Sequence, residues 1–294
     1  MTSVDRLSPP QAILGEGPWW DHRDQRLFWV DIRSNSLNSF DPKSDISIST
    51  DVGEPIACVF KCESERFIIG TGSGVYSFEP RNQEKKLLGK PSVMETLCRF
   101  NDGCTDALGR LWLGTMIDGA KVPQRRGHFY RLDRNGSLDR FFGAFYTTNG
   151  LAFSPDGNIM YYADTNKNIQ TIWSCDYDLE SGLPSNSKVF FDCREIRGRP
   201  DGATVDIDGC YWFASVGGWS VVRITPYGKV DRIVEMPVEK PSKVMFGGPR
   251  LDILYVTTIS EGVQDLRSQP GAGCLFAITG TGTSGLEQRR YRGG

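Results

Sequence analysis

The stretch GEGPWWDHRDQRLFWVDI at residues 15–32 decides the reading of this chain, because its grammar returns five more times. A small or polar residue opens a short apolar run, a turn rich in Asp, Gly, Pro or Arg follows, and a second run ends in aromatic or β-branched residues. The same order is found in PIACVFKCESERFIIGTG (55–72), FNDGCTDALGRLWLGTM (100–116), TNGLAFSPDGNIMYYADT (148–165), PDGATVDIDGCYWFASV (200–216) and SKVMFGGPRLDILYVTT (242–258). The six starts lie roughly 40 to 52 residues apart, the period of a four-stranded propeller blade.

Between these repeats lie shorter alternating runs bounded by Gly, Pro, Asn or Asp, which read as strands: GVYSFEP (74–80), GHFYRLD (127–133), IQTIWSCDYD (169–178), SVVRITP (220–226) and GCLFAITG (273–280). Nowhere is a 3.6-residue apolar spacing held over three turns without a Gly, Pro or Asn-Gly break. The chain is therefore expected to be all-β: a six-bladed β-propeller with four-stranded antiparallel blades, in one domain over residues 1–294. A large β-sandwich, or two side by side, is the competing architecture, and the even spacing along the whole chain favours the propeller.

Composition narrows the function classes. With 39% hydrophobic and 24% charged residues and a net charge of -2, this is an ordinary globular composition. No stretch approaches the roughly 18 apolar residues of a membrane helix, and MTSVDRLSPPQAILGEG lacks the basic-then-apolar pattern of a secretion signal. The expectation is a cytoplasmic protein with no membrane partner. The densest basic spots, Arg125-Arg126 and Arg289-Arg290 with Arg292, are short and carry no interleaved aromatics, which argues against nucleic acid. The eight cysteines form no C-x-x-C pair and are expected to be free, buried thiols. Two histidines, His22 and His128, are too few for a multi-histidine zinc site and weaken any Ser-His-Asp scheme.

In a propeller the innermost strand of each blade lines a central channel, and its leading end meets the mouth where ligands bind. The repeat puts Glu16, Asn101, Asn149 and Asp201 at that position in four blades, each followed at once or one residue later by glycine. Asn-Gly and Asp-Gly pairs also form plain turns. Four at one repeat position point instead to convergence around an axis, as a hard, all-oxygen set suited to one divalent cation.

The runs LGEGP (14–18), RFNDG (99–103), GRLWLGTM (109–116), TNGL (148–151), PDG (200–202) and FGGP (246–249) make the chain resemble the SMP-30/gluconolactonase/regucalcin-like family over about residues 14–280. That resemblance implies a metal held by Glu16, Asn149 and Asp201, and substrate bound by Arg99 and Asn101. Asp102 is expected to brace its loop. GTMIDG (114–119) is similar to the family's bacterial aldonolactonases and suggests Asp118 as a sugar-hydroxyl contact. Animal regucalcins carry a glutamate where this chain has Gly119, which speaks against vertebrate-like substrate contacts.

The chemistry expected of such a site is opening of a small-molecule sugar lactone to its aldonic acid, with the cation as Lewis acid. With no histidine at the motif positions, the general base must be a carboxylate, and Asp201 is the candidate. An oxygen-only set accepts Ca²⁺, Zn²⁺, Mn²⁺, Mg²⁺ or Fe²⁺. The alternative is a calcium-binding regulatory protein of the regucalcin type, although a pure calcium buffer has no need of a substrate-side arginine. Hydrolysis of aryl esters or organophosphates at the same ion is a related expectation. A protein-interaction propeller of the WD40 sort lacks its Gly-His and Trp-Asp signatures. The sugar, the ion in vivo and the oligomeric state are not legible. GTGTSG (280–285) matches G-x-G-x-x-G, but the residues after it are too few for a dinucleotide-binding unit. Asn135-Gly136-Ser137 reads as a hairpin turn. Of the seven tryptophans, Trp219 after Gly217-Gly218 is the one expected at the mouth.

Overall fold

A computed structural model describes residues 1–91, 97–119, 124–133 and 135–293. Six antiparallel sheets of four strands each form a β-propeller. The innermost strands are Gly15–Asp21, Ile56–Lys61, Cys98–Thr105, Thr148–Phe153, Arg199–Val205 and Pro241–Gly247, for blades 1 to 6. Each packs against the next and the sixth against the first, which closes the ring. Each of the six sequence repeats is the inner two strands of one blade, and the shorter alternating runs are third strands in blades 2 to 6. The sole helical element among the described residues is a 3₁₀ turn at Cys193–Glu195.

Burial explains why the repeats read so clearly. Inner strands are covered on both faces by neighbouring blades, so they carry near-continuous apolar runs such as Leu27–Val30. The largest core cluster joins Trp19, Ile56, Phe60, Ile69 and Phe100 across blades 1 to 3. Trp19, Trp20, Trp29, Trp112 and Trp212 are buried in this packing. Outer strands are largely exposed, as at Ile46–Asp51, and have weak sequence signals. The ring is closed by such a strand. Ser3–Arg6 pairs with Phe276–Thr279 as the outermost strand of blade 6, with Val4 opposite Ile278. Four mostly polar residues give no reading from sequence alone.

All eight cysteines are free thiols, seven of them buried. The chain beyond residue 280, opened by GTGTSG, runs under the end of the channel opposite the mouth. Ile207 N donates to Ser284 O (2.9 Å), Gly285 N to Leu251 O (2.7 Å) and Tyr291 N to Lys61 O (2.9 Å), while Thr105 Oγ1 donates to Arg289 O (2.8 Å). A channel cavity of about 210 Å³ lies at this end, with Phe60, Cys104, Lys243, Met245 and Leu286 in its wall. No helix among the described residues is long and apolar enough to cross a membrane.

Candidate functional site

Every innermost strand carries a β-bulge near its mouth end: between Glu16 and Trp19, Ile56 and Cys58, Phe100 and Gly103, Asn149 and Ala152, Pro200 and Ala203, and Pro241 and Lys243. A bulge re-aims side chains and raises local twist. The four sequence-predicted residues Glu16, Asn101, Asn149 and Asp201 sit in or beside four of these bulges, and all four are buried. Glycine follows for a physical reason at Gly17 and Gly150, which adopt φ of +54° and +69°. A side chain at Gly17 would also press on the Ala57 carbonyl of blade 2 at 3.2 Å.

Hydrogen bonds link two of the four residues directly and run on to the residue beside a third. Asn101 Nδ2 donates to Asn149 Oδ1 (3.0 Å) and to Thr148 O (2.9 Å). Asn149 Nδ2 donates to Thr165 Oγ1 (2.7 Å), whose hydroxyl in turn donates to Pro200 O (2.6 Å), beside Asp201. These bonds fix the amide rotamers, so Asn149 Oδ1 faces the bulge side shared with Asn101. Arg99 donates from Nη1 to Asn101 Oδ1 (2.6 Å) and Phe100 O (3.0 Å), and from Nε to Asp118 Oδ2 (2.7 Å). Among the described residues its Nη2 has no hydrogen-bond partner.

The two carboxylates are in an unusual state. Glu16 accepts only the Gly17 N–H (3.0 Å), and Asp201 accepts no hydrogen bond among the described residues. Burial, then the nearby Asp102 charge, raises the Glu16 pKa to about 7. Burial, then Glu16 itself, raises Asp201 well above the usual carboxylate range. Burial thus disfavours ionised Glu16 even with Lys243 and Arg99 nearby. Buried acids without a cation of their own, beside a neutral amide oxygen, are the donor set a hard divalent ion would neutralise. Among the described residues no three His, Cys, Asp or Glu side chains group as a metal cluster, so any such site here rests on two carboxylates with amide oxygens.

One charged residue at the axis has no counterpart in the sequence reading. Lys243, in the bulge of blade 6, is 3% exposed and reaches across to Asp102 of blade 3, on the opposite side of the six-membered ring. It also donates to Gly103 O (2.9 Å). Burial disfavours its ammonium, yet Asp102 more than offsets this and raises its pKa. Asp102 braces its loop as expected, accepting from Gly103 N (2.8 Å), and in addition holds the blade 4 bulge through Leu151 N (3.2 Å). A lysine in the otherwise apolar run SKVMFG was the available signal.

Asp118 lies at the mouth between two guanidinium groups, Arg99 and Arg33 of blade 1 (2.8 Å). Burial pushes its carboxyl up, but Arg99 and Arg33 prevail and hold it at about 2. Arg33 is shared in turn with Glu261 (3.0 Å) from blade 6. This bridge over blade 2 was not visible in the sequence. Trp219 stands at the mouth in the loop Gly217–Trp219, with the Arg197 guanidinium 5.8 Å from its ring centre.

The model of the SMP-30/gluconolactonase/LRE-like region matches residues 14–260, and the chain belongs to that family. It is 35% identical over 271 residues to a 6-deoxy-6-sulfogluconolactonase of Pseudomonas putida, covering 90% of this chain and 91% of that one. It is 30% identical over 286 residues to regucalcin of Xenopus laevis, covering 95% of each. Among solved structures, regucalcin from Agrobacterium tumefaciens, described as a calcium-binding protein, superposes with a TM-score of 0.91 at 26% identity, covering 98% of this chain and 96% of that one.

Proposed function

We propose that this chain is a metal-dependent sugar lactonase, in which Glu16, Asn149 and Asp201 cradle one divalent cation at the mouth of the channel. The observation that carries the reading is the pair of buried acids, Glu16 and Asp201, which form no ion pair among the described residues and stand beside an oriented amide oxygen. Relatives named as lactonase and as calcium-binding protein support the reading from outside the geometry.

When bound, the cation supplies Lewis-acid polarisation of the lactone carbonyl. Asp201 takes the proton from the attacking water through a carboxylate oxygen that accepts no hydrogen bond among the described residues. Glu16 contributes charge, and the Gly17 N–H steadies one of its oxygens. Asn149 contributes a neutral oxygen, its rotamer held by Thr165 and Asn101. Arg99 and Asn101 form the substrate side, with the free Nη2 of Arg99 facing the sugar. Asp118, tied to Arg99 and Arg33, accepts from a ring hydroxyl while it keeps Arg99 in place. Burial at the mouth keeps bulk water from competing for these donors.

The chain acts as one domain, on the ring closure by both termini, and we assign it to the cytoplasm on its eight free thiols. The test is acid release from a panel of five- and six-carbon aldonolactones in weak buffer, using chelator-stripped protein with each of Ca²⁺, Mg²⁺, Mn²⁺, Zn²⁺ and Fe²⁺ restored. Turnover above spontaneous opening in the presence of one or more ions is the expected result. Tight calcium binding with no turnover of any lactone would favour the regulatory reading instead.

A further inference from the structure

Arg99 has a structural twin. It stands two residues before Asn101 on the innermost strand of blade 3, and Arg199 stands two residues before Asp201 on the innermost strand of blade 5. The two flank blade 4 and its Asn149 from opposite sides. Their surroundings differ. Arg99 spends Nε and Nη1 on Asp118, Asn101 and Phe100, whereas the half-buried Arg199 has no hydrogen-bond or ion-pair partner among the described residues. It lies close enough to Asp201 to oppose the rise of that carboxyl's pKa.

The backbone around Arg199 is built for close approach. Gly198 has φ of +90°, and a side chain there would collide with Ser215 Oγ and the Gly218 backbone; one at Gly218 would collide with the Arg197 carbonyl. Ser215 Oγ ties this contact by donating to Arg197 O (2.7 Å). The segment Arg197–Arg199 is thereby clamped against the loop carrying Trp219. That tryptophan has φ of +59°, a costly conformation for a bulky residue, held by Met236 N donating to Trp219 O (2.7 Å). Arg197 stacks on its ring. Glu239 of the adjoining loop accepts from Gly217 N and Trp219 N through its carbonyl, and among the described residues it forms no ion pair.

Charge at the mouth is then lopsided. On the blade 3 side Arg33 and Arg99 are balanced by Asp118 and Glu261, and at the axis Lys243 is balanced by Asp102. On the lactonase reading, a divalent cation would balance Glu16 and Asp201. Arg199 and Arg197 remain, on one rim, beside a fixed aromatic wall. We infer that Arg199, flanked by Arg197 and Trp219, forms a subsite for an anionic group on the sugar, remote from the lactone carbonyl, so that the favoured substrates are lactones bearing a carboxylate, phosphate or sulfonate. The inference rests on the lactonase reading for its substrate class. A guanidinium with all its donors free is suited to a multi-oxygen anion, where Arg99 is not.

The experiment compares binding of gluconate and 6-phosphogluconate to the full chain loaded with magnesium, by calorimetry, in wild type and R199Q. The wild type should bind the phosphorylated acid at least about tenfold more tightly, as expected of a charge-assisted contact, and R199Q should bring the ratio close to one. Because Arg199 holds no partner, R199Q should melt within about 1 °C of wild type. An unchanged ratio in R199Q, equal binding of the two acids by wild type, or binding of neither would overturn the subsite. Binding reads the subsite without turnover, so absence of lactone hydrolysis would sink the lactonase reading separately.

Discussion

Both ends of the channel bury carboxylates, and two at the mouth, Glu16 and Asp201, form no ion pair among the described residues. Away from the mouth, Asp21, Asp106 and Asp206 each close the turn after an innermost strand and each meets an arginine: Arg290 (2.6 Å), Arg110 (2.6 Å) and Arg223 (2.8 Å). Asp206 also accepts from Trp212 Nε1 (2.7 Å) and from the backbone of Asp208 and Cys210. At the mouth, Glu16 and Asp201 have one backbone donor between them. The same residue type on the same strands is thus a structural brace at one end and an unfilled charge at the other. A buried acid whose partners are all supplied by the chain stabilises the fold; one left unpaired calls for something the chain does not contain.

Substitution at each end should separate the two roles most sharply. Asp201→Asn is expected to lower lactone turnover by about a thousandfold or more, through loss of both charge and base, while its circular dichroism stays that of wild type. Asp206→Ala should do the reverse, keeping catalytic efficiency within a few-fold but costing on the order of 3 kcal/mol in denaturant unfolding, because Arg223 and the backbone donors lose their acceptor. Near-normal turnover in Asp201→Asn would remove the distinction between the ends.

A smaller effect lies on the substrate side. Arg99→Ala should raise KM by roughly tenfold and leave the affinity for the cation within about twofold. Loss of cation binding in that variant would show that Arg99 belongs to the cradle rather than to the sugar.

The smallest effect is one of pH. Glu16 titrates near 7 when folded and near the ordinary glutamate value when unfolded, so between those values the folded state binds more protons. Stability of the chelator-stripped protein should therefore fall as pH rises from about 5 to 8, and an added divalent ion should raise Tm more at pH 8 than at pH 6. A metal-induced rise that shrinks toward pH 8 would contradict the assignment of Glu16.

How far the sequence could carry this account follows the same contrast. The inner strands were legible because both faces are buried, so that LFWV, FIIG and LYVTT stand out, and the bulged Glu16, Asn101, Asn149 and Asp201 each carry a glycine close behind. The closing strand Ser3–Arg6 was not, since an exposed edge strand of four residues needs no apolar pattern. Nor was the Lys243–Asp102 pair, which joins residues far apart in sequence across the axis. Arg33 of blade 1 joins Asp118 of blade 3 to Glu261 of blade 6, a bridge between residues far apart in sequence that no local pattern announces. Motif reading located the strand positions; which acids were left unpaired required the packed channel.

The central claim is that Glu16 and Asp201 are unpaired because they await a cation, and calorimetric titration of chelator-stripped protein with divalent ions tests it most directly. One tight site is predicted for the wild type, retained in Asp206→Asn and lost in Glu16→Gln and in Asp201→Asn. A site of unchanged affinity in both mouth variants, or no site in the wild type, would contradict the account.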